Sequence, residues 1–556
     1  MQEAVILKPR LPRARQLIVR ARDHARAHSP SLAEYALAVL SSVLLVFSFP
    51  DFDLWPLAWV GLVPLLLAVA RRPAPARPFA AFVLGWLSGT IFFYASCYWL
   101  TYSMIRYGGL PAPLAYTLLA PAAAVVGLFP AFVMTAFAFL LNRQGKLIAL
   151  LGFPFLWTTG ELARLYVTGQ LWNAVGYSQG YVPPLIQAAR WGGVYGVGFL
   201  IVAANVAFAY FILEKTRRAF FFSAALLCVV AMILALSFYS ARRDRDDAAP
   251  EALVVGVQAN VPMSFARTPE AMDELLQRHF RLSERGLQGV RDEKLRALPR
   301  LVVWSESPMN FAYSGDASIR SVLGEFARRN RAALIINSME PAPNDGAYNS
   351  ALMIDDEGRL IAQYDKIRLL PFGEYVPGSK WLPGTSLVAA IVGDFTPGEK
   401  YPLLSIGPAR AGVFICFESA FPEIARRFAA EGADVLLNIS NDGYLGPTPV
   451  RRQHLANAVF RAVEAGRPVL RVTNTGITAR IAADGRVSDE TGSFRPEVRT
   501  WTVGRAASPK TFYTERGDLF AFACALLSGL LLFIPKHWGS IKHDRNRQHA
   551  GTPDGV

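Results

Sequence analysis

Apolar positions crowd into two parts of this chain and alternate with polar ones in a third. A bilayer core takes about 20 apolar residues per helix, and about 17 at the least. Eight stretches meet or approach that length: 33–50, 54–70, 79–103, 112–141, 146–165, 192–213, 219–239 and 518–535. The second and eighth are short, and the fourth is long enough to tilt or to kink at Pro121 or Pro130. Between 245 and 510 the pattern changes. The runs LVVGVQ (253–258), LVVWSE (301–306), ALIINS (333–338), ALMID (351–355), AGVFICFE (411–418), DVLLNIS (434–440) and PVLRVTN (468–474) predict buried strands. Stretches of helical period at 272–290, 319–330, 424–432 and 452–466 separate them, and Gly432 and Gly466 suit helix C-terminal ends. This alternation predicts a layered α/β domain.

The chain of 556 residues therefore divides into a basic arm (1–32), a membrane domain of seven helices (33–240), a soluble α/β domain (245–510), an eighth helix (518–535) and a basic tail (536–556). Composition agrees: 52% hydrophobic and only 18% charged residues exclude an ordinary soluble protein. The net charge of +14 concentrates beside the apolar runs, from Lys8 to Arg26 before the first and from Lys536 to Arg547 after the last. No nucleic-acid recognition motif accompanies these basic residues, so topogenic charge and attraction to anionic lipid account for them. The arm, RRPAPAR (71–77), Arg143 with Lys146, EKTRR (214–218) and the tail fall on one side if there are eight spans. The positive-inside rule then puts both termini in the cytoplasm and 241–517 on the outer face. The first apolar run lacks a small-residue cleavage site and is followed by more spans, so it reads as a span and not as a removable leader. Glu161 and Arg164, at i,i+3 in the fifth run, are spaced to pair at membrane depth, unless the helix ends near Thr159 and leaves both at the interface.

Candidate chemistry lies in the soluble part. Cys97, Cys228 and Cys524 sit inside apolar runs as small packing groups, so Cys416 is the one thiol outside them. Three segments bring polar residues to strand ends: Glu306 after LVVWSE, Lys366 and Glu374 in QYDKIRLLPFGEY, and Cys416 and Glu418 in GVFICFES. A thiol becomes a nucleophile by losing its proton, a carboxylate can take that proton, and a lysine can stabilise the oxyanion formed on an attacked carbonyl. Such a set performs acyl transfer with no metal, cofactor or histidine. Each residue alone has a plainer reading: core packing for the cysteine, a solvated strand end for the glutamate, a surface loop for the lysine.

WSE (304–306), YDKIRLLPFGEY (364–375) and ICFES (415–419) resemble the three motif blocks of the nitrilase superfamily. With the apolar runs, and with FPDFDLWPLAWVGLVPLL (49–66), GYSQ (176–179), GVYGVGFLIVAAN (193–205), QANVP (258–262), SNDGYLG (440–446) and QHLANAVFRAVEAGRPVLRVTNTGITA (453–479), nearly the whole chain is similar to the apolipoprotein N-acyltransferase family. The resemblance implies a multi-pass α-helical membrane domain of about eight spans joined to an αββα sandwich. It implies a bacterial inner-membrane enzyme with a periplasmic catalytic domain. The donor would be a phospholipid, and the acceptor the N-terminal amine of a diacylglyceryl-cysteine apolipoprotein; a monomer in membrane lipid with no nucleic-acid partner is expected. Carried over by position, Cys416 matches the nucleophile, Glu306 the general base, Lys366 the oxyanion lysine, and Glu374 and Glu418 supporting carboxylates. Four places depart from the usual pattern: Ser305 for proline, Phe417 for tyrosine, Ala266-Arg267 for Lys-Trp, and Gly443-Tyr444-Leu445 for a more aromatic run. The apolar, aromatic loop 369–393 is expected to dip toward lipid as a lid. Two other readings use the same features: a membrane-anchored amide hydrolase with water as acceptor, and a non-enzymatic transporter or scaffold.

Overall fold

The computed structural model describes residues 29–71, 75–243, 249–264, 268–306, 309, 311–343, 346–371, 373–375 and 395–535. Most of the basic arm, the tail, Ala266, Arg267 and most of the expected lid at 369–393 lie outside them. Helices stand at all eight apolar stretches. They are α1 (Leu32–Ser48), α2 (Trp55–Ala70), α3 (Pro78–Ser96), then the short α4 (Leu100–Arg106), α5 (Ala112–Gln144), α6 (Lys146–Thr168), α7 (Ala189–Glu214), α8 (Arg217–Arg243) and a C-terminal helix Leu519–Phe533. Among the described residues four helices are long and apolar enough to cross a membrane: α3, α5, α7 and α8. The helices α1, α2 and Leu519–Phe533 are apolar but shorter.

Ser31 starts α1 with a capping box. Its hydroxyl accepts from Glu34 N at 3.4 Å, and the Glu34 carboxylate accepts from Ser31 N at 2.6 Å. α3 and α5 approach closely because glycines face each other. A Cβ on Gly85 would stand 2.6 Å from Pro130 O, and one on Gly127 2.5 Å from Thr90 Oγ1. α5 remains one helix through Pro121 and Pro130. The third run is corrected: its helix ends at Ser96, not 103, because the chain turns there to dock on the soluble domain. The Trp99 indole N–H is shared between Ser96 O and Gln453 Oε1, each at 3.1 Å. α8 leaves Phe221, Met232 and Leu236 exposed, apolar surface suited to lipid.

Among the described residues the soluble part holds twelve strands in chain order: β1 (Ala252–Gln258), β2 (Arg300–Trp304), β3 (Ala333–Pro341), β4 (Ala347–Ile354), β5 (Leu360–Asp365), β6 (Leu403–Ile406), β7 (Ala409–Ile415), β8 (Val435–Ser440), β9 (Val469–Thr473), β10 (Ala479–Ile481), β11 (Val487–Ser488) and β12 (Glu497–Val503). They form two six-stranded sheets, ordered β12-β1-β2-β3-β4-β5 and β11-β10-β9-β8-β7-β6. All seven expected strands are present; β5, β6 and β10–β12 are additional. The first sheet carries α9 (Pro269–Gln288) and α10 (Ala317–Asn330), whose Leu275, Phe280, Leu323 and Phe326 pack with Val255, Val302 and Leu334. α11 (Pro422–Glu431) and α12 (Val450–Ala465) cover the second sheet. The result is the layered αββα arrangement.

Two features position the site. β1–β2–β3 and β7–β8–β9 are parallel triplets, so the carboxyl ends of β2, β7, β8 and β9 deliver Glu306, Cys416, Asn441 and Asn474 to one edge. And α12 is buried on all sides, between the second sheet and the membrane helices. Its Gln453 accepts from the indoles of Trp99 and Trp172 at 3.1 and 3.0 Å and donates to Pro50 O and Ser96 O at 3.3 and 3.1 Å. Glu464 accepts from Val194 N of α7 at 2.9 Å. These hydrogen bonds seat α12, and the sheet edge beside it, on the helices.

Candidate active site

Cys416 ends β7 and opens a tight turn, Cys416–Ala420. Its φ of +51° is left-handed, a conformation a side chain with a Cβ adopts only under constraint. Part of that constraint is Glu418. Fully buried, its carboxylate accepts Ile415 N at 2.7 Å, Ile367 N at 2.7 Å and Arg368 N at 3.1 Å, while the Tyr364 hydroxyl lies 2.8 Å from both oxygens. One side chain thus joins the cysteine turn to the loop that carries Lys366.

Lys366 follows β5 directly and is 1% exposed, so it is not a surface lysine. Its Nζ donates to Glu374 Oε1 at 2.8 Å and reaches Glu306 Oε1 at 3.5 Å. The Asn349 side chain from β4 donates to the same two atoms, at 2.7 Å to Glu374 and 3.0 Å to Glu306. Asn441 N, across the sandwich, donates to Glu306 Oε2 at 3.0 Å. The Cys416 thiol lies close to the Ser440 side chain and feels the charges of Glu306 and Lys366. The structure therefore brings Glu306, Lys366, Cys416, Glu374 and Glu418 to one place.

The electrostatics follow from this packing. Burial opposes charge on Lys366, but Glu374 first and then Glu306 and Cys416 overcome it, so the ammonium is held above the ordinary lysine range. Burial and then the Glu306 carboxylate push the Cys416 thiol up, and Lys366 offsets this only in part. The resting Cys416 side chain is thus a thiol. For it to act as a nucleophile it would have to give up its proton during attack, and the neighbouring Glu306 carboxylate is a candidate to take it. Accordingly, the iodoacetamide alkylation rate of Cys416 is expected to rise with pH through and beyond about 8.5, where an ordinary thiol is half ionised. A plateau at neutral pH would mean a preformed thiolate and contradict a resting thiol.

Phe417 lacks the hydroxyl that a tyrosine would bring. Its ring stacks on Trp172, with centroids 5.9 Å apart and planes 20° apart, and meets Phe421 edge-on at 5.3 Å. Trp172 is in turn anchored by Arg164, whose Nη1 donates to Trp172 O at 2.7 Å. This corrects the expected Glu161–Arg164 pairing. α6 runs on to Thr168 with both residues buried, and each charged group turns to other partners: Glu161 Oε1 accepts from Trp157 Nε1 at 3.2 Å and Val175 N at 2.8 Å, while Arg164 also lies over the Phe93 ring at 5.1 Å. Ser305 is buried, and among the described residues its hydroxyl has no hydrogen-bond partner. Tyr444 packs edge-on against Tyr107 at 5.6 Å, and its carbonyl accepts from Ser103 Oγ of α4 at 2.7 Å.

Sequence reasoning missed Asn349, Asn441 and Tyr364. Asn349 lies two residues before the run ALMID (351–355) and carried no signal of its own; the observed strand extends back to Ala347 and includes it. Among the described residues no group of three or more His, Cys, Asp or Glu side chains is placed to hold a metal ion.

Comparison with known proteins adds a second line of support. Residues 41–207 match the family described as the apolipoprotein N-acyltransferase N-terminal domain, and residues 257–508 match the carbon-nitrogen hydrolase family. An apolipoprotein N-acyltransferase of Geobacter metallireducens is 33% identical over 537 residues, covering 94% of this chain and 100% of that protein. One from Pseudomonas putida is 31% identical, with 89% and 95% covered, and one from Chlorobaculum tepidum 28% identical, with 90% and 96% covered. The solved structure of an amidase from Nesterenkonia sp. aligns with 49% of this chain and 96% of its own, at 18% identity and a TM-score of 0.34. With end-to-end similarity at that level, and both the helical and the hydrolase-like regions matched, this chain belongs to the apolipoprotein N-acyltransferase family.

Proposed function

We propose that this protein moves an acyl chain from a phospholipid to the N-terminal amine of a diacylglyceryl-cysteine apolipoprotein through a thioester on Cys416. The observation that carries the mechanism is the buried Lys366 bridging Glu374 and Glu306 beside that thiol. Glu306 takes the thiol proton as Sγ bonds to the ester carbonyl carbon, and Lys366 stabilises the oxyanion. The intermediate collapses with loss of the lysophospholipid alkoxide, which takes the proton back from Glu306. The apolipoprotein α-amine then attacks the thioester, gives a proton to Glu306, and leaves as an amide while the thiol is restored. Glu374 keeps Lys366 charged and oriented, and Glu418 fixes both loops.

Eight membrane spans with both termini in the cytoplasm fit the placement of basic residues, and they put the αββα domain on the periplasmic face of the bacterial inner membrane. Both substrates are lipids, so a nucleophile seated on helices through Gln453 and Trp172 has a use for them that a soluble amidase would not. The enzyme is expected to act as a monomer.

The test is mass spectrometry of the purified, full-length protein after exposure to phosphatidylethanolamine micelles. The peptide holding Cys416 should gain one hydroxylamine-labile acyl group, and a diacylated lipopeptide should then discharge it as N-acylated product. An unmodified Cys416 peptide would overturn the proposal. Discharge as free fatty acid, with no N-acyl peptide, would favour the hydrolase.

A further inference from the structure

None of these proton transfers uses His454, yet this residue lies against the nucleophile's own peptide. His454 is 3% exposed on α12. Its Nδ1 stands 2.8 Å from Asp442 Oδ1 and its Nε2 2.9 Å from the carbonyl oxygen of Cys416. Asp442 is itself buried and held by the equally buried Arg471, whose Nη2 lies 3.0 Å from Oδ2 and whose other arm reaches Asn438. Burial alone would raise the Asp442 pKa, but Arg471 first and then His454 hold it well below the usual carboxylate range. Asp442 therefore has no proton to give, and a peptide carbonyl never has one. Nδ1 and Nε2 thus both lie at hydrogen-bond distance from acceptor oxygens, one of the Asp442 carboxylate and one of the Cys416 carbonyl.

We infer that His454 is a positioning residue: a ring bridging Asp442 and the nucleophile's peptide, braced by Asp442 and Arg471, that clamps the Cys416 carbonyl and so holds the left-handed backbone which aims Sγ. At φ +51° the residue would relax toward an ordinary conformation if its carbonyl were released. Relaxation rotates the Cα–Cβ bond and moves the sulfur relative to Glu306 and Lys366. The clamp belongs to α12, the helix whose neighbouring Gln453 is fixed by Trp99 and Trp172, so the seating of the domain on the membrane helices and the aim of the thiol share one rigid element. The inference rests on the proposed acyl transfer.

Two variants separate a clamp from simple structural support. In His454→Asn the amide nitrogen stands near the Nδ1 position, so it still donates to Asp442 but falls short of the Cys416 carbonyl. In His454→Gln the amide nitrogen reaches the Nε2 position and can still donate to that carbonyl. With the full-length protein and phosphatidylethanolamine micelles, rapid-quench mass spectrometry reads thioester formation, and thermal denaturation reads folding. H454N is expected to acylate about 100-fold more slowly at saturating lipid with an unchanged half-saturating concentration, the effect of an ångström-scale misplacement. H454Q is expected to stay within about tenfold of wild type, with both variants melting alike. Equal rates for both variants and wild type, or losses that track the melting temperature, would sink the clamp. A wild-type protein that forms no thioester would instead overturn the acyl transfer on which it rests.

Discussion

Replacing Lys366 by methionine is expected to slow acyl-thioester formation by about a thousandfold, the cost of one lost oxyanion donor in a preorganised site. The same change should destabilise the fold by about 3–5 kcal/mol, because it breaks a buried ion pair by removing one partner. Methionine matches the length of the lysine stem, so packing is nearly kept and charge is what disappears. Glu374 Oε1 and Glu306 Oε1 now share one lysine nitrogen and one Asn349 amide, so without the lysine two carboxylates confront each other across a single amide. Two such groups ionise together only at a cost, and one proton relieves it. The stability deficit of K366M should therefore shrink as pH falls from 8 to 5. Thermal midpoints of variant and wild type, measured in the same detergent at both pH values, check the sign. A deficit that stays constant with pH would show that the two carboxylates do not feel each other.

How far the sequence revealed this arrangement depended on the kind of force involved. The helices were legible because a bilayer selects for little beyond apolar length. They were misjudged only where tertiary contacts intervene: α3 stops at Ser96 because Trp99 turns to Gln453, a partner 354 positions away along the chain. The strands that line the interior of the sandwich, such as β1 and β8, showed as unbroken apolar runs. β5, with half-exposed Gln363 and exposed Leu360 at an edge of its sheet, has no such run and went unread. Within the site, Cys416, Glu306 and Lys366 stood out as residue types whose chemistry fits together. Asn349 did not, since its importance lies in bridging two carboxylates brought from other segments. His454 was hidden by its helix, whose period marked an element but not what packs on each of its faces; the second sheet and the membrane helices bury it almost entirely.

Glu418 provides the second large expectation, with the opposite pH sign. Its four donors are three backbone N–H groups and a tyrosine hydroxyl, shared between both oxygens. In Glu418→Gln, whichever way the amide is turned, its NH2 faces at least one backbone N–H that then loses its acceptor. The cost is about 1–3 kcal/mol at pH 8, the range for a buried donor left unsatisfied. Because Ile415 on one side and Ile367 with Arg368 on the other would both drift, thioester formation should fall by about 100-fold or more. Burial raises the Glu418 carboxyl from its ordinary 4.5 to about 7, against the hydrogen bonds and Lys366 that lower it. The folded protein thus binds this proton more tightly than the unfolded chain does. Its contribution to stability is fully present below pH 4.5 and is lost as pH rises through about 7. A shift of that size corresponds to about 3 kcal/mol. Glutamine has no such proton, so the deficit of E418Q should be largest near pH 5 and smallest at pH 8, where K366M is at its worst. Crossing pH dependences in the two variants would show that one buried site holds two carboxylate environments: a pair bridged by a lysine, and a lone carboxyl that the interior pushes toward its neutral form.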